Sequence, residues 1–197
     1  MARDTEKRRA ALRETLLDIA EAEIRQNGVA SLRARDLAKQ AGCAVGAIYN
    51  VFDDMTGLAL AVNLRTFHRL GEAVSKAVAA QSDAPPVERL VIMAHSYLHF
   101  AASDLNLWRA LFDVEMTAES DVPDWYLAEL ERLFAIIAGP LTEIDPKASA
   151  DEIELRTRTL FSSVHGIVLL GLERRVSGVP TTRIEDMIAY LLTQAAQ

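Results

Sequence analysis

One cysteine, Cys43, stands among 197 residues. An internal disulfide is therefore excluded, and with no His or second Cys at short spacing, so is a zinc site around that thiol. Six prolines and nine glycines are too few for a loop-rich or low-complexity chain. No run approaches the roughly 18 uninterrupted apolar residues that span a bilayer. Nothing alternates with period two over a useful length, and no fixed repeat or linker interrupts the chain. The start, MARDTEKRRAALRE, lacks the short apolar core and small-residue cleavage site of a secretory leader, so the expected location is cytoplasmic with no membrane partner. Also missing are a P-loop, a Gly-x-Ser-x-Gly elbow, a Gly-x-Gly-x-x-Gly turn and a metal motif. The expectation is a non-enzyme with no cofactor.

Half of the residues are hydrophobic and a quarter charged, with a formal net charge of −7. That balance argues against indiscriminate coating of nucleic acid. The charge is uneven, however. Residues 1–13 carry Arg3, Lys7, Arg8, Arg9 and Arg13 against Asp4 and Glu6, whereas residues 56–197 carry 12 basic and 19 acidic side chains. A basic arm, read as a solvated or frayed end, leads an acidic body.

Apolar residues recur at helical spacing almost throughout. Leu12, Leu16, Ile19, Ala20 and Ile24 form one face of a first helix that stops at Asn27-Gly28. LRARDLAKQAG reads as a short helix with Ser31 as N-cap, and a second short helix runs through AVGAIYNVF. Asp53 and Asp54 open a long helix that ends near the double proline at 85–86, and the next helix starts there. Further helices are expected at 104–116 and 123–137, the latter disturbed by Gly139-Pro140. Helices at 150–176 and 183–195 would each begin with a capping box, Ser149 with Glu152 and Thr182 with Glu185. The fold class is all-α, with about nine helices.

Two short helices joined at Gly42 and preceded by a supporting helix have the layout of a helix-turn-helix. A helix entering the major groove brings its first turn close to bases and phosphates. Small residues such as Ala44, Val45, Gly46 and Ala47 permit that approach, and their methyls can meet a thymine methyl. Tyr49 and Asn50 could then reach a phosphate or an adenine edge. A tight helix crossing explains the small residues equally well.

The succession NGVASL, LAKQAG, GAIYNVF and Leu58 resembles the TetR family of bacterial transcriptional regulators, whose pattern is IA-x-x-AG-V-S-x-G-T-(L/I)-Y-x-x-F-x-x-K-x-x-L. The likeness covers roughly residues 10–60. It implies an N-terminal DNA-binding domain at 1–54, with a reading unit at about 33–52, and an effector-binding and dimerisation domain at 55–197. It further implies guanine readout by Arg35, phosphate contacts from Arg33 and Lys39, close approach at Gly46, and a backbone contact from Tyr49. Ala44, Ala47 and Met55 depart from the family's usual Ser or Thr, Thr and Lys. Each such polar contact would contribute roughly 0.5–1.5 kcal/mol.

The stretches LNLWRALFDVEM and SSVHGIVLLGLERR also resemble a C-terminal domain type with Trp108 and the His165-Gly166 pair. The resemblance implies a small-molecule effector, for which His95, His99, Phe100, Trp108, Phe112, Trp125, Phe134, Phe161 and His165 are candidate pocket residues; an aromatic cluster can equally be plain core. His95 and His99 share a helical face at metal-site spacing, but without a third ligand they read as packed or hydrogen-bonded histidines. Stripes at Val164, Ile167, Val168 and Leu172 and at Ile184, Met187, Ile188 and Leu191 could face the chain's own core or a second copy. The family implies the latter, a homodimer that presents two reading helices to a palindromic operator. The alternatives are a small-molecule binding protein with a degenerate DNA-binding head and, with least support, an enzyme built in a helical bundle.

Overall fold

A computed structural model describes residues 2–114, 122–173 and 180–195. Among them are nine α-helices and no strand: α1 (Ala2–Asn27), α2 (Ala34–Ala41), α3 (Val45–Ile48), α4 (Met55–Ala79), α5 (Pro86–Ser103), α6 (Leu105–Asp113), α7 (Asp124–Ile144), α8 (Ala150–Leu172) and α9 (Ile184–Ala195). The sequence-based helix ends near Met116 and residue 176 lie outside the described residues. The chain forms two compact units, one of residues 1–68 and 104–126 and one of residues 69–103 and 127–197.

The first unit is built on α1. Its basic arm is helical rather than frayed. Good helix formers dominate the arm, Asp4 sits in the first turn, and Arg8 reaches Asp4 at 3.2 Å across one turn. Leu16, Leu17, Ala20 and Ile24 bury one face of α1 against Leu37 and Ala38 of α2, Ile48 of α3, Leu58 and Val62 of α4, and Leu107 and Ala110 of α6. Polar ties fix the assembly. The Asn63 amide, fully buried, donates to the Ala110 carbonyl at 2.8 Å, and the Asn106 amide caps the Arg25 carbonyl at 3.0 Å. Arg65 on α4 reaches Glu14, Asp18 and Glu21 of α1 at 2.6, 2.7 and 3.4 Å. Arg25 joins Glu21 to Asp104.

In this unit the expected caps form with one exception. Asp54 caps α4, its carboxylate accepting the Gly57 N–H at 2.6 Å. Ser31 does not cap α2. It lies in a 3-10 turn, Val29–Ser31, and its hydroxyl donates to the Gly28 carbonyl at 2.7 Å, which leaves Arg33 at the cap position with no side-chain bond to the free N–H groups of α2.

In the second unit, α5 buries Leu90, Met93, Ala94, Tyr97, Leu98 and Ala101 and packs against α8 and α9. Ser149 and Glu152 form the expected capping box at the start of α8. Thr182 does not reciprocate at α9: the helix is entered through a 3-10 turn, Thr181–Arg183, and the Glu185 carboxylate meets His99 at 2.8 Å instead. Helix α7 also runs on through Gly139-Pro140 to Ile144. Proline deletes one backbone donor, but the disturbance is confined: Pro140 and Leu141 are buried, and the Thr142 hydroxyl donates to the Ala138 carbonyl at 3.0 Å.

Candidate functional site

Helices α2 and α3 are joined by a three-residue turn whose geometry Gly42 sets. Its φ of 65° is left-handed, and the Cys43 N–H returns to the Ala38 carbonyl at 3.0 Å, closing α2. Leu37, Ala38 and Ile48 anchor the pair to the core. What remains outside is the candidate reading surface. Arg35 and Lys39, one turn apart on α2, are exposed, as are Ala44, Val45, Gly46, Tyr49 and Asn50; Ala47 is half-buried. Cys43 is half-buried in the turn and packs on the core.

Two details, the end of α3 and the orientation of Arg33, differ from the sequence-based picture, while the bare cap at Ala44 follows it. Regular helix in α3 ends at Ile48. Tyr49 to Phe52 continue as turns, with the Phe52 N–H still bonded to the Ile48 carbonyl at 2.9 Å. Ala44 at the cap position offers α3 no side-chain oxygen. Arg33 is exposed but turned onto its own backbone, its guanidinium donating to the Ala30 and Leu32 carbonyls at 2.7 and 2.9 Å. A phosphate would compete with those bonds. An interaction missed at the sequence level is Arg13, whose guanidinium lies 4.9 Å from the centre of the Phe52 ring. The basic arm is thereby held at the end of the reading unit.

The candidate pocket residues fall into three groups. Trp108, fully buried, packs edge-on with Phe112, and Trp125 packs on Tyr126, all in the first unit. Burial raises the pKa of the Tyr126 phenol, partly offset by the adjacent Asn63. Phe134, Phe161 and His165 belong together in the second unit. Phe134 and Phe161 meet edge-on at 5.3 Å, and Phe161 stacks on His165 at 5.7 Å. Nδ1 of His165 pairs with the Tyr97 hydroxyl at 2.8 Å, and burial lowers the imidazole pKa below its ordinary value. His95, His99 and Phe100 lie elsewhere in this unit, on an open groove of about 590 Å³. Nε2 of His95 is 3.3 Å from the Glu185 carbonyl, and Nε2 of His99 contacts the Glu185 carboxylate. Among the described residues no three metal-ligating side chains converge.

A second groove, of about 530 Å³, runs between α7 and α8. Phe134 lines it with Ala135, Ala138, Ile153, Thr157 and Arg158. Thr157 and Arg158 were not singled out from the sequence. The available signal was a threonine inside the apolar stripe Ile153, Leu160, Val164, Val168 of α8.

The candidate interface residues divide as well. Val164, Val168, Ile184 and Ile188 are buried in the chain itself, so they serve its own core. Ile167, Leu172 and Leu191 are half-buried, and Met187 is exposed. The exposed large apolar residues on α8 and α9 are Leu155, Leu170, Met187 and Tyr190. None of the described helices is long and apolar enough to cross a membrane.

No curated protein matches the chain. Among solved structures, it is similar to a protein of unknown function from Rhodococcus sp. RHA1, with 23% identity over 94% of this chain and 96% of that one and a TM-score of 0.76. The transcriptional regulator FadR from Bacillus subtilis, solved with stearoyl-CoA, aligns at 18% identity over 92% and 98% with a TM-score of 0.69. RolR, solved with resorcinol, aligns at 17% identity over 97% and 94% with a TM-score of 0.70. These likenesses concern the fold. Residues 16–62 match the family described as "Bacterial regulatory proteins, tetR family". Residues 90–195, over half of the chain, match the one described as "Tetracyclin repressor-like, C-terminal domain". With a helix-turn-helix inside the first match and a helical body inside the second, the chain belongs to the TetR family of bacterial regulatory proteins.

Proposed function

We propose that the chain is a homodimeric, sequence-specific DNA-binding regulator of transcription, a repressor released from a palindromic operator by a small-molecule effector. The observation that carries this reading is the exposed face of α2 and α3. Arg35 and Lys39 are exposed one turn apart, beside a patch of small residues from Ala44 to Ala47. Arg35 reads a guanine, Lys39 neutralises a phosphate, Val45 and Gly46 lie against base edges, and Tyr49 and Asn50 meet the backbone. Two copies joined through α8 and α9, with Leu155, Leu170, Met187 and Tyr190 among the buried contacts, place two such heads about 34–36 Å apart, one turn of DNA. The effector acts by binding the body more tightly in a state whose heads are wrongly spaced; equal affinity for both states would release nothing. FadR and RolR were solved with chemically dissimilar ligands, a long acyl thioester and a small diphenol, so the fold does not dictate the effector class.

The test is a gel-shift series on the DNA flanking the chain's own gene, with wild type and Arg35→Ala at several salt concentrations. Selection of one palindrome is expected. Arg35→Ala should lose about 1–3 kcal/mol and relax one base position. Binding that is weak, non-selective and indifferent to Arg35 refutes the readout. The second reading, a ligand-binding protein with a degenerate head, would then hold; it is favoured by the missing cap oxygen at Ala44, by Ala47 where the family has a threonine and by Met55 where it has a lysine.

A further inference from the structure

We infer that the groove between α7 and α8 is the effector site, and that it takes an uncharged, largely apolar molecule bearing one hydrogen-bonding oxygen. This rests on the effector-controlled reading above, and names the place and the chemistry. The floor and walls are apolar: Phe134, Ala135, Ala138, Ala148 and Ile153 contribute side chains with no polar atoms. Small residues along a groove are not in themselves a site. The second observation is Thr157, which lines the same groove, is 2% exposed, and whose hydroxyl has no hydrogen-bond partner among the described residues.

That orphan contrasts with five other helical threonines. Thr15, Thr66, Thr142, Thr159 and Thr193 all turn their hydroxyls back to the carbonyl four residues earlier, at 2.7 to 3.2 Å. Thr157 does not, although Ile153 lies at the same spacing. A buried hydroxyl left unpaired costs free energy, and a ligand oxygen placed against it would recover that cost. A hydroxyl both donates and accepts, so an alcohol, phenol or ketone oxygen each satisfies it.

Charge at the rim decides against an anion. Arg158 is the only cation among the lining residues, and it is already committed, with its Nε on Glu154 at 2.8 Å and its guanidinium 5.1 Å from the centre of the Phe134 ring. Glu131 and Glu154 stand on the same lining, leaving the rim one negative charge in excess. A carboxylate ligand would meet the excess negative charge of the rim, whose one arginine is already paired with Glu154. The Arg158 plane over Phe134 instead closes one end with a flat, weakly hydrated surface suited to a planar apolar body.

The test uses the full-length protein and three probes of one shape, 2-naphthol, naphthalene and 2-naphthoate, with dissociation constants measured by equilibrium dialysis. The expected order is 2-naphthol tightest, naphthalene about tenfold weaker for want of one hydrogen bond, and 2-naphthoate weakest. Thr157→Val keeps the side-chain shape and should bring 2-naphthol down to the level of naphthalene. Ala138→Phe fills the groove and should abolish binding of all three; should it fail to fold, the Thr157→Val result decides. The inference is overturned if wild type binds none of the probes, if 2-naphthoate binds best, if the 2-naphthol preference survives Thr157→Val, or if a folded Ala138→Phe binds as wild type does. Operator binding is scored separately. A chain that selects a palindrome yet ignores all three probes loses this inference and keeps the regulator reading, and one that binds 2-naphthol but no palindrome does the reverse.

Discussion

Replacing Arg65 by methionine tests whether α1 is held to α4 by charge as well as by the apolar core. The Arg65 side chain is 29% exposed, and its guanidinium serves three carboxylates on successive turns of α1. Burial works against its charge, but the bonds to Asp18 and Glu14 outweigh it, so its pKa is raised. Glu14 and Asp18 are 62% and 71% exposed, and exposed pairs contribute only about 0.5 kcal/mol each. Glu21 is different. It is 11% exposed, and without Arg65 only Arg25 of the two arginines still faces it, a loss that costs about 1–2 kcal/mol. The sum for Arg65→Met, whose methylenes preserve much of the stem packing, is about 2–3 kcal/mol. Urea unfolding at fixed protein concentration should show the midpoint falling. In a double-mutant cycle with Glu21→Gln, the coupling should exceed about 1 kcal/mol and shrink little in high salt, because this contact is shielded from solvent. A loss below about 0.5 kcal/mol, or a coupling that vanishes in salt, refutes the claim that the network stabilises the reading unit.

Gly42→Ala should lose about 1 kcal/mol in the same assay, because φ at 65° strains any side chain bearing a Cβ; no change would mean that the turn relaxes at no cost. The pH dependence follows from His165. Its folded pKa is lowered by burial, so the unfolded chain binds the proton more readily. The stability it contributes is complete above the ordinary histidine value of about 6.5 and is lost as pH falls through the lowered folded pKa. Thermal melts at stepped pH should therefore show a decline below about 6.5 that His165→Gln removes in part, and identical profiles would refute the assignment.

How much was legible in the sequence depends on the range of the interactions involved. The 3.6-residue period placed Leu16, Ala20 and Ile24 inward, and the Gly42 stop and the Asp54 cap were readable because each depends on neighbours within one turn. Ser31 and Thr182 had the right chemistry for caps but found other geometry, since 3-10 turns intervened before α2 and α9. Glu185 could not be assigned from sequence, because its partner His99 is 86 residues away. The aromatics of the body formed one list by composition, yet the fold distributes them between two units and along two separate walls of the second. Stripes on α8 and α9 were recognised as apolar, but which half faces inward depends on the packing of α5, so Val164, Val168, Ile184 and Ile188 went to the interior.

The solitary thiol in the turn between α2 and α3 gives the protein a built-in reporter. A spin label on Cys43 needs no background cysteines removed, and its partial packing on the core restrains it. The two-fold dimer proposed above would carry two labels and a single interlabel distance, at the head itself. Pulsed dipolar spectroscopy of the labelled protein would follow head separation directly; on the proposed function, operator DNA should narrow the distribution and an effector should displace it. Head spacing could then be followed independently of any change in affinity.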